Sequence, residues 1–292
     1  MNSSSLQKKH SPTFPEIMSA VNQVRKICDR NGTIPESEIY NETWMLRLTL
    51  ALLKEIDIKN GEPISEVCQA VKSGWISEGG LKPVFKREHT TWTDAILGRV
   101  YCDENDRNVK IKDSNLLEGD EYEGVIVVEA KMASKLSPKV THSESYNQVV
   151  RNVACLSRLV LESSHVLGSN IKNNSRVVVL APESKIDKWQ DNAGRLIKQW
   201  KDNTRRMACE IQRILTTDKR YNNGLWKHPN DSKFLRNFNE IVRAISLKSC
   251  VISWESILRF IKCHLYAHKD FSLLAEYYET TKKIYGIKNV KY

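Results

Sequence analysis

The stretch Gly124-Val-Ile-Val-Val-Glu-Ala-Lys131 constrains this chain more than any other. β-branched residues favour the pleated strand, and a run apolar on both faces suits a strand buried in a sheet covered by helices. Alternation puts Val125, Val127, Glu129 and Lys131 on one face, with Ile126, Val128 and Ala130 on the other. A carboxylate and an ammonium are thus delivered side by side at the end of a central strand. Charges there are costly to desolvate unless paired or bound to a metal. Chemistry is therefore expected at this strand end.

The periodicity around that strand predicts the following order of elements. Residues 1–15, rich in Ser, Lys and Pro, are expected to be a flexible segment. A helix is expected over 16–30, with Ile17, Val21, Val24 and Ile27 on its apolar face. A second, Leu-rich helix spans 36–58 and a third 64–73; the glycines of residues 74–80 predict a loop. Three strands are expected at 81–87, 90–102 and 124–133, with a short one at 108–112 inside an acidic connection. A helix over 143–163 follows, with Ser143 as its N-cap. The Val-rich residues 176–181 form a further strand, which Pro182 stops. Beyond it the pattern is mainly helical: a long basic helix at 186–216, a helix at 231–244 and mostly helix after 255, with a short strand at 249–254. Helices, strands, helix, strand and helices in that order predict an α/β fold, a central sheet flanked by helices. The expected organisation is a flexible tail (1–15), a core with N-terminal helices (16–185) and a helical C-terminal region packed on it (186–292).

Charge narrows the choice of partner. A net charge of +10 and a pI near 9.2 point to a polyanion. The seven cysteines, at 28, 68, 102, 155, 209, 250 and 263, are widely spaced and contain no CxxC. They are read as reduced thiols of a cytoplasmic protein, without the spacing of a zinc site. No apolar run reaches the roughly 20 residues of a membrane helix. The seven histidines show no metal spacing, and no glycine pattern for ATP or NAD is present. The seven tryptophans are read as core or interface residues.

Asp94 lies near the start of the strand that precedes the central one, just before apolar Ala95-Ile96-Leu97. In an antiparallel pair the start of one strand lies beside the end of the other, so Asp94 is expected next to Glu129. Two converging carboxylates suit a hard cation such as Mg2+, which needs only one or two of them beside waters and substrate phosphates. Lys131 faces the same place and is suited to orient a water or offset charge on a phosphate. The alternative second carboxylate is an acid of residues 120–123, namely Asp120, Glu121 or Glu123; Asp94 is preferred because apolar residues embed it.

Asp94 followed by Glu129-Ala130-Lys131 at the end of an apolar strand resembles the PD-(D/E)XK nuclease superfamily, to which restriction endonucleases belong. No Pro precedes Asp94, a common departure in that superfamily. The resemblance covers about half of the chain, roughly 36–181, and implies a restriction endonuclease-like core: helix, three-stranded meander, helix and fourth strand, here with additional N- and C-terminal helices. It implies that Asp94, Glu129 and the backbone at Ala130 hold Mg2+, for which Mn2+ can substitute, and that Lys131 assists the attacking water. It suggests Gln148, on the helix after the motif, as a further catalytic residue, and Glu42, on the first core helix, as a further metal ligand. Arg151 stands one helical turn from Gln148 on the same face. The cations expected to hold nucleic acid are Lys135, Lys139, Arg151, Lys198, Arg205 and Arg206.

The expected function is a Mg2+-dependent endonuclease hydrolysing phosphodiester bonds in DNA. The resemblance alone suggests a prokaryotic restriction or defence setting. RNA remains open as a substrate, and paired cuts favour a homodimer. The alternative is a catalytically silent nuclease-like module that binds nucleic acid or a protein partner.

Overall fold

A computed structural model of the chain describes residues 11–31, 35–58, 63–84, 89–102, 108–112, 122–132, 148–163, 171–186 and 232–287. Four helices come first: α1 (Phe14–Asn31), α2 (Glu36–Ile39), α3 (Glu42–Lys54) and α4 (Pro63–Ser73). Strands β1 (Trp75–Leu81), β2 (Thr91–Gly98), β3 (Val100–Cys102), β4 (Val109–Ile111) and β5 (Val125–Ala130) follow. Then come α5 (Gln148–Ser163), α6 (Ile171–Asn174) and β6 (Arg176–Ala181). The C-terminal part holds α7 (Ser232–Lys248), β7 (Cys250–Ser253), α8 (Trp254–Leu265) and α9 (Lys269–Ile284).

The main sheet has the order β1-β2-β5-β6-β7, with β3 and β4 forming a separate pair. β1 pairs antiparallel with β2, and β2 antiparallel with β5. β5, β6 and β7 are mutually parallel, so the sheet is mixed. A parallel step needs a crossover, and α5 lies between β5 and β6 in sequence. Central β5 is buried along its whole length, as its unbroken apolar run requires.

Alternation along β5 divides the core in two. Ile126, Val128 and Ala130 pack with residues of α1, α3, α4, α8 and α9. Val125 and Val127 pack with Val149, Val153 and Leu156 of α5 and with Phe238 and Ile245 of α7. The result is a three-layer α/β architecture with helices on both faces of the sheet. At the end of the sheet far from Ala130, buried Arg176 of β6 forms an ion pair with Glu66 of α4.

Several local expectations are corrected. The helix expected over 36–58 breaks, because the Asn41 side chain accepts the Trp44 N–H (3.1 Å) and caps α3 as a new helix. Residues 75–80, expected as part of a loop, form β1 together with Leu81: Gly79 leaves room for the Ile96 side chain, where a Cβ would meet it at 2.8 Å. The strand expected at 81–87 is met only at Leu81; residues 85–88 lie outside the described ones. The strand expected over 90–102 divides at Gly98, whose φ of +114° turns the chain out of the sheet and into β3. Ile27, placed on the apolar face of α1, is 51% exposed. The basic helix at 186–216 lies outside the described residues beyond Ile186, and so does most of the N-terminal tail. The short strand expected near 249–254 is β7, so the C-terminal region adds an edge strand to the sheet besides packing helices on it. Among the described residues, no helix is long and apolar enough to cross a membrane, and Cys68, Cys250 and Cys263 are free thiols.

Candidate active site

The pairing of β2 with β5 builds the site. The ladder matches Gly98 with Val125 and, at its other end, Ala95 with Val128, so one further step sets Asp94 opposite Glu129. The Asp94 carboxylate accepts the Ala130 N–H through Oδ2 (2.6 Å). A side-chain acceptor thereby takes the place of a ladder carbonyl and holds Asp94 against the next strand. Glu129 is 1% exposed and forms an ion pair with Lys131 through Oε1. Its Oε2 accepts a hydrogen bond from Asn152 Nδ2 (3.1 Å), one turn beyond Gln148 on α5. The end of β5 is held in turn by Trp254 of α8, whose Nε1 donates to the Lys131 carbonyl (3.0 Å).

The electrostatics follow from burial. Desolvation and the neighbouring Asp94 charge push the Glu129 carboxyl up to about 7, against the downward pull of Lys131 and Asn152. Asp94 is also raised, first by burial, with the Ala130 N–H and Lys131 opposing and the charges of Glu42 and Glu78 adding. A buried and a half-buried acid side by side, with one ammonium near them, are short of positive charge, and a bound cation would supply it. Among the described residues no group of three or more His, Cys, Asp or Glu forms a metal cage. The donor set is therefore the pair Asp94 and Glu129, which suits a cation that keeps waters and takes substrate oxygens.

The other expected site residues divide. Glu42 opens α3, and its charge is felt at Asp94. Gln148 is the first residue of α5 and half-buried. Arg151 is turned to a backbone group: Nη2 donates to the His89 carbonyl (2.7 Å), tying α5 to the segment that enters β2. Glu123 is exposed at the opposite end of β5, six residues and roughly 20 Å from Glu129, so Asp94 is the described acid that meets it. Asp120, Glu121, Lys135, Lys139, Lys198, Arg205 and Arg206 lie outside the described residues.

Asn152 is the residue that sequence reasoning missed. Its signal was a polar amide inside the apolar stripe of α5, four residues after Gln148 and between Val149 and Val153. It is fully buried, and its Oδ1 has no partner. Replacing it by Leu should leave Glu129 Oε2 without its donor and weaken Mg2+ or Mn2+ binding about 10- to 100-fold, read by calorimetric titration. Unchanged metal affinity in the folded variant would remove Asn152 from the site.

A pH dependence also follows. The folded Glu129 carboxyl titrates above its unfolded value of 4.5. The stability gained by burying its neutral form is complete below that value and is lost as pH rises through about 7. A cation prefers the ionised pair, so thermal stabilisation by Mg2+ should grow from pH 6 to pH 8, reaching ~5 °C at an excess of about 100 Kd. In Glu129→Gln the growth should vanish. An equal Mg2+ shift at both pH values, read by scanning fluorimetry, would contradict the assignment.

Comparison with models of known protein families, with curated proteins and with solved structures finds no match to this chain.

Proposed function

We propose that the chain is a Mg2+-dependent nuclease of PD-(D/E)XK type that hydrolyses phosphodiester bonds in DNA. The observation carrying this reading is the Asp94–Ala130 hydrogen bond, which joins Asp94 to the Glu129–Lys131 pair at one point of the sheet. The element order supports it: three antiparallel strands, a crossover helix and a parallel fourth strand follow the plan of the restriction endonuclease-like core. The net charge of +10 suits a polyanionic substrate.

Asp94 and Glu129 hold the cation, with the backbone at Ala130 beside them and Glu42 close enough to add negative charge. When bound, Mg2+ polarises phosphoryl oxygens and acidifies a coordinated water. Asn152 fixes the Glu129 carboxylate in one orientation. The Lys131 ammonium, beside Glu129, would orient the attacking water and offset charge gathering on the phosphate. Gln148, one turn before Asn152 on α5, is the proposed further contact to the same water or phosphate.

An endonuclease role in prokaryotic restriction or defence follows from the resemblance and enters the proposal on that basis. The direct test is incubation of supercoiled plasmid with the purified chain and Mg2+, then with Mn2+. Nicked or linear product is expected with either ion and none in EDTA; intact plasmid with both ions overturns the reading.

A further inference from the structure

The seven tryptophans were expected in the core or at interfaces, and Trp254 and Trp75 are buried. Trp92 is not: it is 55% exposed at the second position of β2 in the main sheet. A single exposed aromatic needs no explanation by itself, but the position of this one is particular. At the start of β2 the burial alternates, with Thr91 and Thr93 buried, Trp92 exposed and Asp94 half-buried, before the strand becomes fully buried from Ala95 on. The indole therefore stands on the same side of the strand as the Asp94 carboxylate, about 7 Å along it. Its cross-strand partner on β1 is Gly80, which presents no side chain to cover the ring. Three residues earlier, the His89 carbonyl is held by Arg151, so the entry to β2 is tied down beside a cation.

We propose that Trp92 is a stacking platform for an unpaired nucleobase, and that the site at Asp94 and Glu129 takes DNA as an opened single strand, of the kind that negative supercoiling exposes in a plasmid. The choice of a polynucleotide rests on the nuclease reading; the choice of a single strand rests on Trp92. In a duplex the base faces are stacked on one another and unavailable to a side chain. An open strand offers its bases to an aromatic ring while its phosphates reach the carboxylate site, and a separation of about 7 Å is on the scale of one nucleotide. An indole accepts every base, so the platform selects for strand opening without selecting for sequence.

The test is fluorescence anisotropy in EDTA, so that nothing is cut, with three labelled probes: an oligo-dT strand, the same backbone with an abasic run, and a duplex of equal length. The wild-type chain should prefer oligo-dT over the abasic strand by roughly 5- to 150-fold. Trp92→Ala should abolish that preference, and Trp92→Phe should keep most of it. Neither variant should change duplex affinity or the salt dependence of binding, because the ring carries no charge. Circular dichroism checks that the variants fold, and the wild-type preference for oligo-dT over the abasic probe is a test that needs no variant. The proposal is overturned if the wild type binds both strands alike, or if Trp92→Ala loses duplex binding as strongly as oligo-dT binding. Plasmid cleavage without a Trp92-dependent preference sinks the platform alone. A Trp92-dependent preference without cleavage upholds the platform and sinks the nuclease reading.

Discussion

Glu129→Ala and Lys131→Ala should each abolish Mg2+-dependent cleavage of plasmid DNA, with the fall in rate on the order of 10³-fold or more. Glu129 is one of two carboxylates available to the cation, and the cation's stabilisation of phosphoryl charge is worth several kcal/mol. Its replacement removes both a ligand and the orienting partner of Lys131. Lys131→Ala keeps the carboxylates and so should still bind Mn2+, while losing the ammonium proposed to face the water and the phosphate. The two variants are therefore expected to separate in a metal titration and to coincide in a cleavage assay. Effects of groups acting as one unit do not add, so the double variant should be no slower than Glu129→Ala alone. If both single variants cut plasmid as fast as the wild-type chain, the site lies elsewhere. If the wild type binds DNA without cutting it, the silent, binding-only alternative replaces the enzyme.

Trp254→Ala should have the largest effect on stability. Trp254 is fully buried in the core cluster formed by α3, α8 and α9 on one face of the sheet. Removal of a buried aromatic costs about 3–5 kcal/mol, equivalent to ~10 °C in Tm for a domain of this size. Its Nε1 also donates to the Lys131 carbonyl, so the side chain anchors the end of β5 that carries the charged pair. Trp254→Phe separates the two contributions: it keeps most of the packing and leaves that carbonyl without its donor, a loss of about 1 kcal/mol. Urea unfolding monitored by far-UV circular dichroism reads both. A Trp254→Ala variant within about 1 kcal/mol of wild type would mean that α8 is not packed on the sheet as described.

What was legible in the sequence follows the reach of the interactions. β5 and β6 were read closely because an apolar β-branched run has one stable use, a strand buried on both faces. The Glu129–Lys131 pair was equally legible, since alternation alone puts both on one face. β1 was missed because its glycines carry a loop signal, and only the Ile96 side chain filling the space beside Gly79 explains why a strand tolerates them there. The break between α2 and α3 was missed for a different reason. Asn41 reads as an ordinary helix residue until its side chain is seen to accept the Trp44 N–H.

The site shows the same division. Asp94 was found by pattern, yet its pairing with Glu129 depends on the β2–β5 register, a contact across more than 30 residues of sequence. Asn152 was overlooked because a lone amide on an apolar helix face says nothing until the element it packs against is known. Trp92 was read with the other tryptophans as a core or interface residue, and only the fold shows that it is exposed and that Gly80 lies across from it. By itself the sequence determined the elements whose pattern repeats locally, the face that carries Glu129 and Lys131, and the basic charge. The tertiary structure alone decided which distant residues join that face, because register, capping and exposure are set by contacts between segments that local pattern does not encode.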